Sequence, residues 1–171
     1  MLSPAEVHYV RWQNRAFRFY VPARVLVLSG GELRSFNSCA MFCGQQSIET
    51  LLKATLAYFE PSTDPSIYGH NWPKMQAALE NWGCAIKFPE YLTSNSKIQT
   101  KTRYPSGLVP VCPTFLKDID SAFADLLSVV PCHRHTELAA ALKSSRSSSC
   151  RYLVRKNLQI RRIRKLVSAS A

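Results

Sequence analysis

His133-Arg134-His135 is the densest histidine cluster in the chain. Paired imidazoles could share a metal or act as an acid and a base. No third ligand stands at metal-site spacing, and their place just after Pro131-Cys132 reads as surface histidines at a helix start. His70 follows Gly69 and precedes an expected helix. There it could contact a phosphate at the helix N-terminus, or fix the turn through a backbone hydrogen bond. Asp118, Asp120 and Asp125 share one helical segment, but Asp118 and Asp120 diverge around its axis and read as solvated charge. A GxSxG elbow, a P-loop and a GxGxxG turn are all missing. No catalytic residue, metal ligand or cofactor is assigned on these grounds.

The six cysteines, at 39, 43, 84, 112, 132 and 150, form no CxxC pair. Cys39 and Cys43 stand four apart in an apolar helical pattern, where a thiol packs as a small hydrophobe. Reduced structural thiols and a cytoplasmic location are the expectation.

The strongest signal for a partner is charge. The net charge is +11, which suggests an anionic partner. Residues 1–85 hold seven Lys/Arg against six Asp/Glu, residues 86–150 eight against five, and residues 151–171 seven against none. Seven cations without an acid repel one another, and counter-anions would relieve them. Arg151, Arg155, Arg161, Arg162 and Lys165 are the candidate nucleic-acid contacts. If about five cations there met phosphates, binding would weaken with salt at a log–log slope of about −4 to −5. A solubilising tail is the plainer reading. The apolar side of this segment lacks Trp and Phe, which argues against a membrane surface.

These groups must be positioned by helices. Ser3-Pro4-Ala5-Glu6 has the form of a capping box with Pro at the first helical position. A helix is expected from there toward Ser29, broken or kinked near Pro22, with a basic face carrying Arg11, Arg15, Arg18 and Arg24. Gly30-Gly31 supplies a stop. From Phe36 to Phe59 apolar and small residues recur at i, i+3, i+4 and i+7. Glu49 and Lys53 form an i, i+4 pair in the favourable order, and Pro61 ends the helix. A short helix over Trp72–Trp82 has Asn71 as its N-cap and Gly83 as its close. Residues 86–113 read as loop, with four prolines as breakers. Helices are expected over Thr114–Val130, about 136–143 and about 151–167. Ser144–Ser149 is a low-complexity joint, dividing the chain into a helical domain at 1–143 and a basic end at 144–171. No run of about 18 uncharged apolar residues exists, so no membrane span is expected.

Phe42-Cys43-Gly44-Gln45-Gln46-Ser47-Ile48-Glu49-Thr50-Leu51-Leu52-Lys53-Ala54 resembles a helix of the HEPN family (higher-eukaryote and prokaryote nucleotide-binding domains). Tyr68-Gly69-His70-Asn71 looks like that family's Gly-His step, and Arg103-Tyr104-Pro105 is similar to a segment that follows it. The resemblance covers about residues 14–130. It implies an all-α antiparallel bundle of four to five helices, often a homodimer. It also implies RNA or nucleotide binding, toxin–antitoxin pairing with a nucleotidyltransferase-type partner, and metal-independent RNase activity through Arg-x4-6-His. On this basis His70 and Arg103 are candidate phosphate contacts. No Arg lies five to seven residues before His8, His70, His133 or His135, so the family's catalytic pair carries over to no position. The expectation is a non-catalytic HEPN-like domain that binds nucleic acid, nucleotide or a partner protein. The alternatives are a divergent RNase or toxin using His133, Arg134 or His135, and a structural dimerisation module without nucleic-acid contact.

Overall fold

The computed structural model describes residues 2–29, 35–93, 114–130 and 132–133. The helices expected near 136–143 and 151–167, the joint between them and the domain boundary at 143/144 lie outside the described residues. The chain is all-α: α1 (Pro4–Ser29), α2 (Ser35–Phe59), a 3-10 turn (Pro65–Tyr68), α3 (Trp72–Glu80), a single turn α4 (Glu90–Thr93) and α5 (Phe115–Val129). No strand occurs among the described residues.

Local chemistry sets the ends of these helices. The α1 capping box forms as expected: the Ser3 amide donates to Glu6 Oε2 at 2.8 Å and the Glu6 amide to Ser3 Oγ at 3.3 Å. The Ser3 backbone amide, then the Ser3 hydroxyl, hold the Glu6 carboxyl below its ordinary value. Pro22 does not break α1, which runs through it uninterrupted. Asn71 caps α3 by accepting the Lys74 amide at 3.0 Å. Replacing Asn71 by alanine is expected to cost about 1 kcal/mol, read as a lower urea midpoint with an unchanged slope. α3 stops at Glu80, two residues short of Trp82, and Gly83 follows with a φ of 74°. The segment expected to be loop from residue 86 contains the short α4.

α1 and α2 pack antiparallel. Phe19 meets Phe42, Trp12 meets Lys53 and Tyr9 meets Tyr58, so partner numbers rise along α2 as they fall along α1. The stripe expected on α2 understates its burial. Every position from Gly44 to Ala57 is buried, which makes α2 the spine of the bundle. The hydroxyls in this stretch bond back to their own helix: Ser47 Oγ to the Gly44 carbonyl at 2.6 Å, Thr50 Oγ1 to Gln46 at 2.6 Å and Thr55 Oγ1 to Leu51 at 2.9 Å. They therefore need no partner on another element. Gly44 faces α5 with no room for a side chain. A Cβ there would lie 2.2 Å from Ile119 Cδ1 and 2.6 Å from Phe115 Cζ.

α3 docks Trp72, Met75 and Leu79 into the core. Phe59 at the end of α2 stacks on Trp82, their rings 5.7 Å apart and 15° from parallel. α5 is joined to α1 by a buried polar knot. Both Asp120 oxygens accept from Arg24, and one also accepts from the Tyr20 hydroxyl. Tyr20 then stacks on Phe123 at 4.1 Å. This corrects two expectations: Asp120 is not solvated, and Arg24 does not belong to the exposed basic face. Burial alone would lower the Arg24 guanidinium, but the charges and hydrogen bonds of Tyr20 and Asp120 outweigh it and raise the net value.

Cys39, Cys43, Cys84 and Cys132 are free thiols. Cys39 is exposed rather than buried, because it falls on the side of α2 opposite its neighbours Ser38 and Ala40. Burial, then the nearby Cys39, pushes the Cys43 thiol up, so it is a poor nucleophile at neutral pH.

Candidate functional site

Glu49 sits in the fully buried stretch of α2, where an isolated carboxylate would be costly. It is compensated from three sides. Lys53, one turn on, donates to Oε1 at 3.0 Å, and Gln46, one turn back, approaches Oε2 at 3.4 Å. The third partner comes from outside the helix: His70 Nδ1 lies 2.9 Å from Oε1 and 3.0 Å from Oε2. A carboxylate accepts, so Nδ1 carries the ring proton. The Glu49 side chain is 1% exposed and that of His70 is 52% exposed. The imidazole thus bridges a buried charge to solvent.

The turn that places His70 is built by its neighbours. Asp64 accepts the Ser66 amide at 2.9 Å and opens the 3-10 turn, Pro65 fixes its first φ, and Gly69 leaves it with a φ of 55° that side chains rarely adopt. His70 does not fix this turn through a backbone hydrogen bond, as its sequence position suggested. Its observed partner is the side chain of Glu49.

Lys53 also lies over Trp12 of α1, 5.1 Å from the ring centroid, and the Arg15 guanidinium lies 5.7 Å from the same centroid. A chain of contacts therefore runs from His70 through Glu49, Lys53 and Trp12 to the outer face of α1. That face carries a groove of about 650 Å³ lined by Leu2, Val7, Val10, Arg11, Asn14, Arg15, Arg18 and Phe19. Arg11, Arg15 and Arg18 are exposed and spaced i, i+4, i+7, so they form one row about 10 Å long. This is the basic face expected for the first helix, without Arg24. One acid adjoins it: Asp64 is held below its ordinary value chiefly by the Ser66 backbone amide, with smaller contributions that include His8 and Arg11.

His133 is structural. Its backbone amide donates to Gln13 Oε1 at 2.9 Å, its Nε2 lies 3.6 Å from Glu6 Oε1, and its ring edge meets Tyr9. Burial, with the neighbouring Cys132, holds the Tyr9 hydroxyl well above its ordinary value, so it stays a neutral core group. Arg103, Arg134, His135, Arg151, Arg155, Arg161, Arg162 and Lys165 lie outside the described residues. Among the histidine candidates His70 joins the Glu49 cluster and His133 the contacts with Gln13, Glu6 and Tyr9, and the α1 row supplies cations that the charge count alone ranked below the C-terminal end. A finer signal was present, because three of the first four arginines recur at helical spacing. Among the described residues no group of His, Cys, Asp or Glu could hold a metal ion, and no helix is long and apolar enough to cross a membrane.

Comparison with protein families, with curated proteins and with solved structures found no match.

Proposed function

We propose that this chain is a non-catalytic HEPN-like helical domain that binds single-stranded nucleic acid, with the outer face of α1 as its phosphate-gripping surface. The observation that carries this reading is the row of Arg11, Arg15 and Arg18 along one groove. Guanidinium groups suit phosphate because their planar donors can make paired hydrogen bonds. A row about 10 Å long reaches more than one phosphate, which favours a polynucleotide over a mononucleotide. Phe19 at the groove offers a ring against which a base can pack. The +11 net charge adds attraction at longer range.

The test is fluorescence anisotropy with a labelled single-stranded RNA, titrated across salt. Binding should weaken with salt, and the variant Arg11→Gln/Arg15→Gln/Arg18→Gln should reduce the log–log slope by about 2, since each single-strand phosphate contact contributes roughly 0.7. All three side chains are exposed, so circular dichroism should show the fold intact. Absence of binding at low salt, or an unchanged slope in the triple variant, rejects this surface.

A further inference from the structure

Outside the basic groove, His70 combines an exposed side chain with a hydrogen bond to a buried carboxylate. Its Nδ1 lies against Glu49, and in the neutral ring an Nδ1–H donated to that carboxylate leaves Nε2 with an in-plane lone pair. The His70 side chain is 52% exposed although its Nδ1 is held by a buried carboxylate. The anchor cannot swing away, because Glu49 is buried and also held by Lys53 and Gln46. By contrast, the His133 side chain is only 15% exposed and its Nε2 faces Glu6. A fixed lone pair, a carboxylate that steadies positive charge on the ring, and open access are what a nucleophilic imidazole needs. Lys74 stands four residues on, at an exposed position, with its ammonium over the Tyr68 ring.

We propose that His70 is a phosphoryl-acceptor site, its Nε2 taking a phosphoryl group from an acyl phosphate. The Nε2 lone pair attacks phosphorus. The N–P bond forms as the bond between phosphorus and the acyl oxygen breaks, and the electron pair leaves with the donor's carboxylate. The Nδ1 proton stays on the ring, hydrogen-bonded to Glu49, whose charge offsets that of the substituted imidazole. Nothing is oxidised or reduced. The site does not rest on nucleic-acid binding, and the experiment below does not read that property.

The full chain is incubated with acetyl phosphate and, separately, with phosphoramidate, and followed by intact mass and phosphorus NMR. The expected product carries one phosphoryl group on His70, lost in acid and stable in base. His70→Gln removes it, and Glu49→Gln slows its formation at least about tenfold. Since Glu49 lies in the core, nitrogen NMR of the unmodified ring provides a second reading on the unaltered protein, with the Nδ1–H tautomer expected. The proposal fails if neither donor gives phosphohistidine, if His8, His133 and His135 react as fast as His70, or if the ring of His70 carries its proton on Nε2. An equal rate in a folded Glu49→Gln variant removes Glu49 from the mechanism.

Discussion

Replacing Asp120 by alanine is expected to destabilise the fold by about 3–5 kcal/mol, because it leaves a buried guanidinium without its counter-charge. Arg24 and Asp120 are both fully buried. The Arg24 Nε already lacks a hydrogen-bond partner, so no spare acceptor is at hand to take over from the carboxylate. The Tyr20 hydroxyl loses its acceptor in the same change. Burial is the first cause that holds that hydroxyl well above its ordinary value, and it persists when the second, the Asp120 charge, is removed. Urea unfolding followed by circular dichroism measures the loss. A cost below about 1 kcal/mol would mean that the pair behaves like a solvated surface bridge. The double variant Arg24→Met/Asp120→Leu should recover most of the stability, since a buried pair replaced by apolar groups of similar volume is often neutral or better.

Gly44→Val should cost about 3 kcal/mol through overpacking. Glycine inside a helix is ordinarily worse than alanine by about 1 kcal/mol, so a residue with a side chain would help if there were room. There is none. The added Cβ would overlap Ile119 and Phe115, and both of those side chains are themselves fully buried. The helices must separate, or the two side chains must leave their rotamers. Pairing the change with Ile119→Ala should return part of the loss by opening space where the new methyl groups fall. If the double variant is less stable than the sum of the two single costs, the clash is not at Ile119.

The helices themselves were legible because their signals are local. The apolar recurrence over α2 and α5, the capping box at Ser3, the Asn71 cap and the Glu49–Lys53 pair each involve residues within one or two turns. What the sequence hid was pairing between turns. Asp120 stands in sequence with Asp118 and Asp125, and three acids together suggest a solvent-facing row. Its place one turn before Phe123 and two before Leu127, on the face that buries both, was the better guide. Its partner Arg24 stands 96 residues away, where no periodicity points. Likewise Glu49 was visible as half of a helical salt bridge, but the imidazole that completes it is separated by 21 residues and a turn. The candidate site was half legible for the same reason: His70 could be suspected from its turn, while its role follows only from the carboxylate behind it.

The back-bonded hydroxyls of α2 bear on the chain before it folds. Ser47, Thr50 and Thr55 occupy buried positions yet keep their oxygens on their own helix, which leaves methyl and methylene groups to face the neighbours. At these three positions the segment therefore presents apolar groups to its neighbours, but only once the helix exists. In an extended chain the same oxygens are free to take water, and Gln45, Gln46, Glu49 and Lys53 add polar groups along the same stretch. A spine of this composition offers little to the sticky extended pairing that drives nascent hydrophobic segments together. The bundle acquires its dry interior at the moment of folding, without having to carry an aggregation-prone segment up to that point.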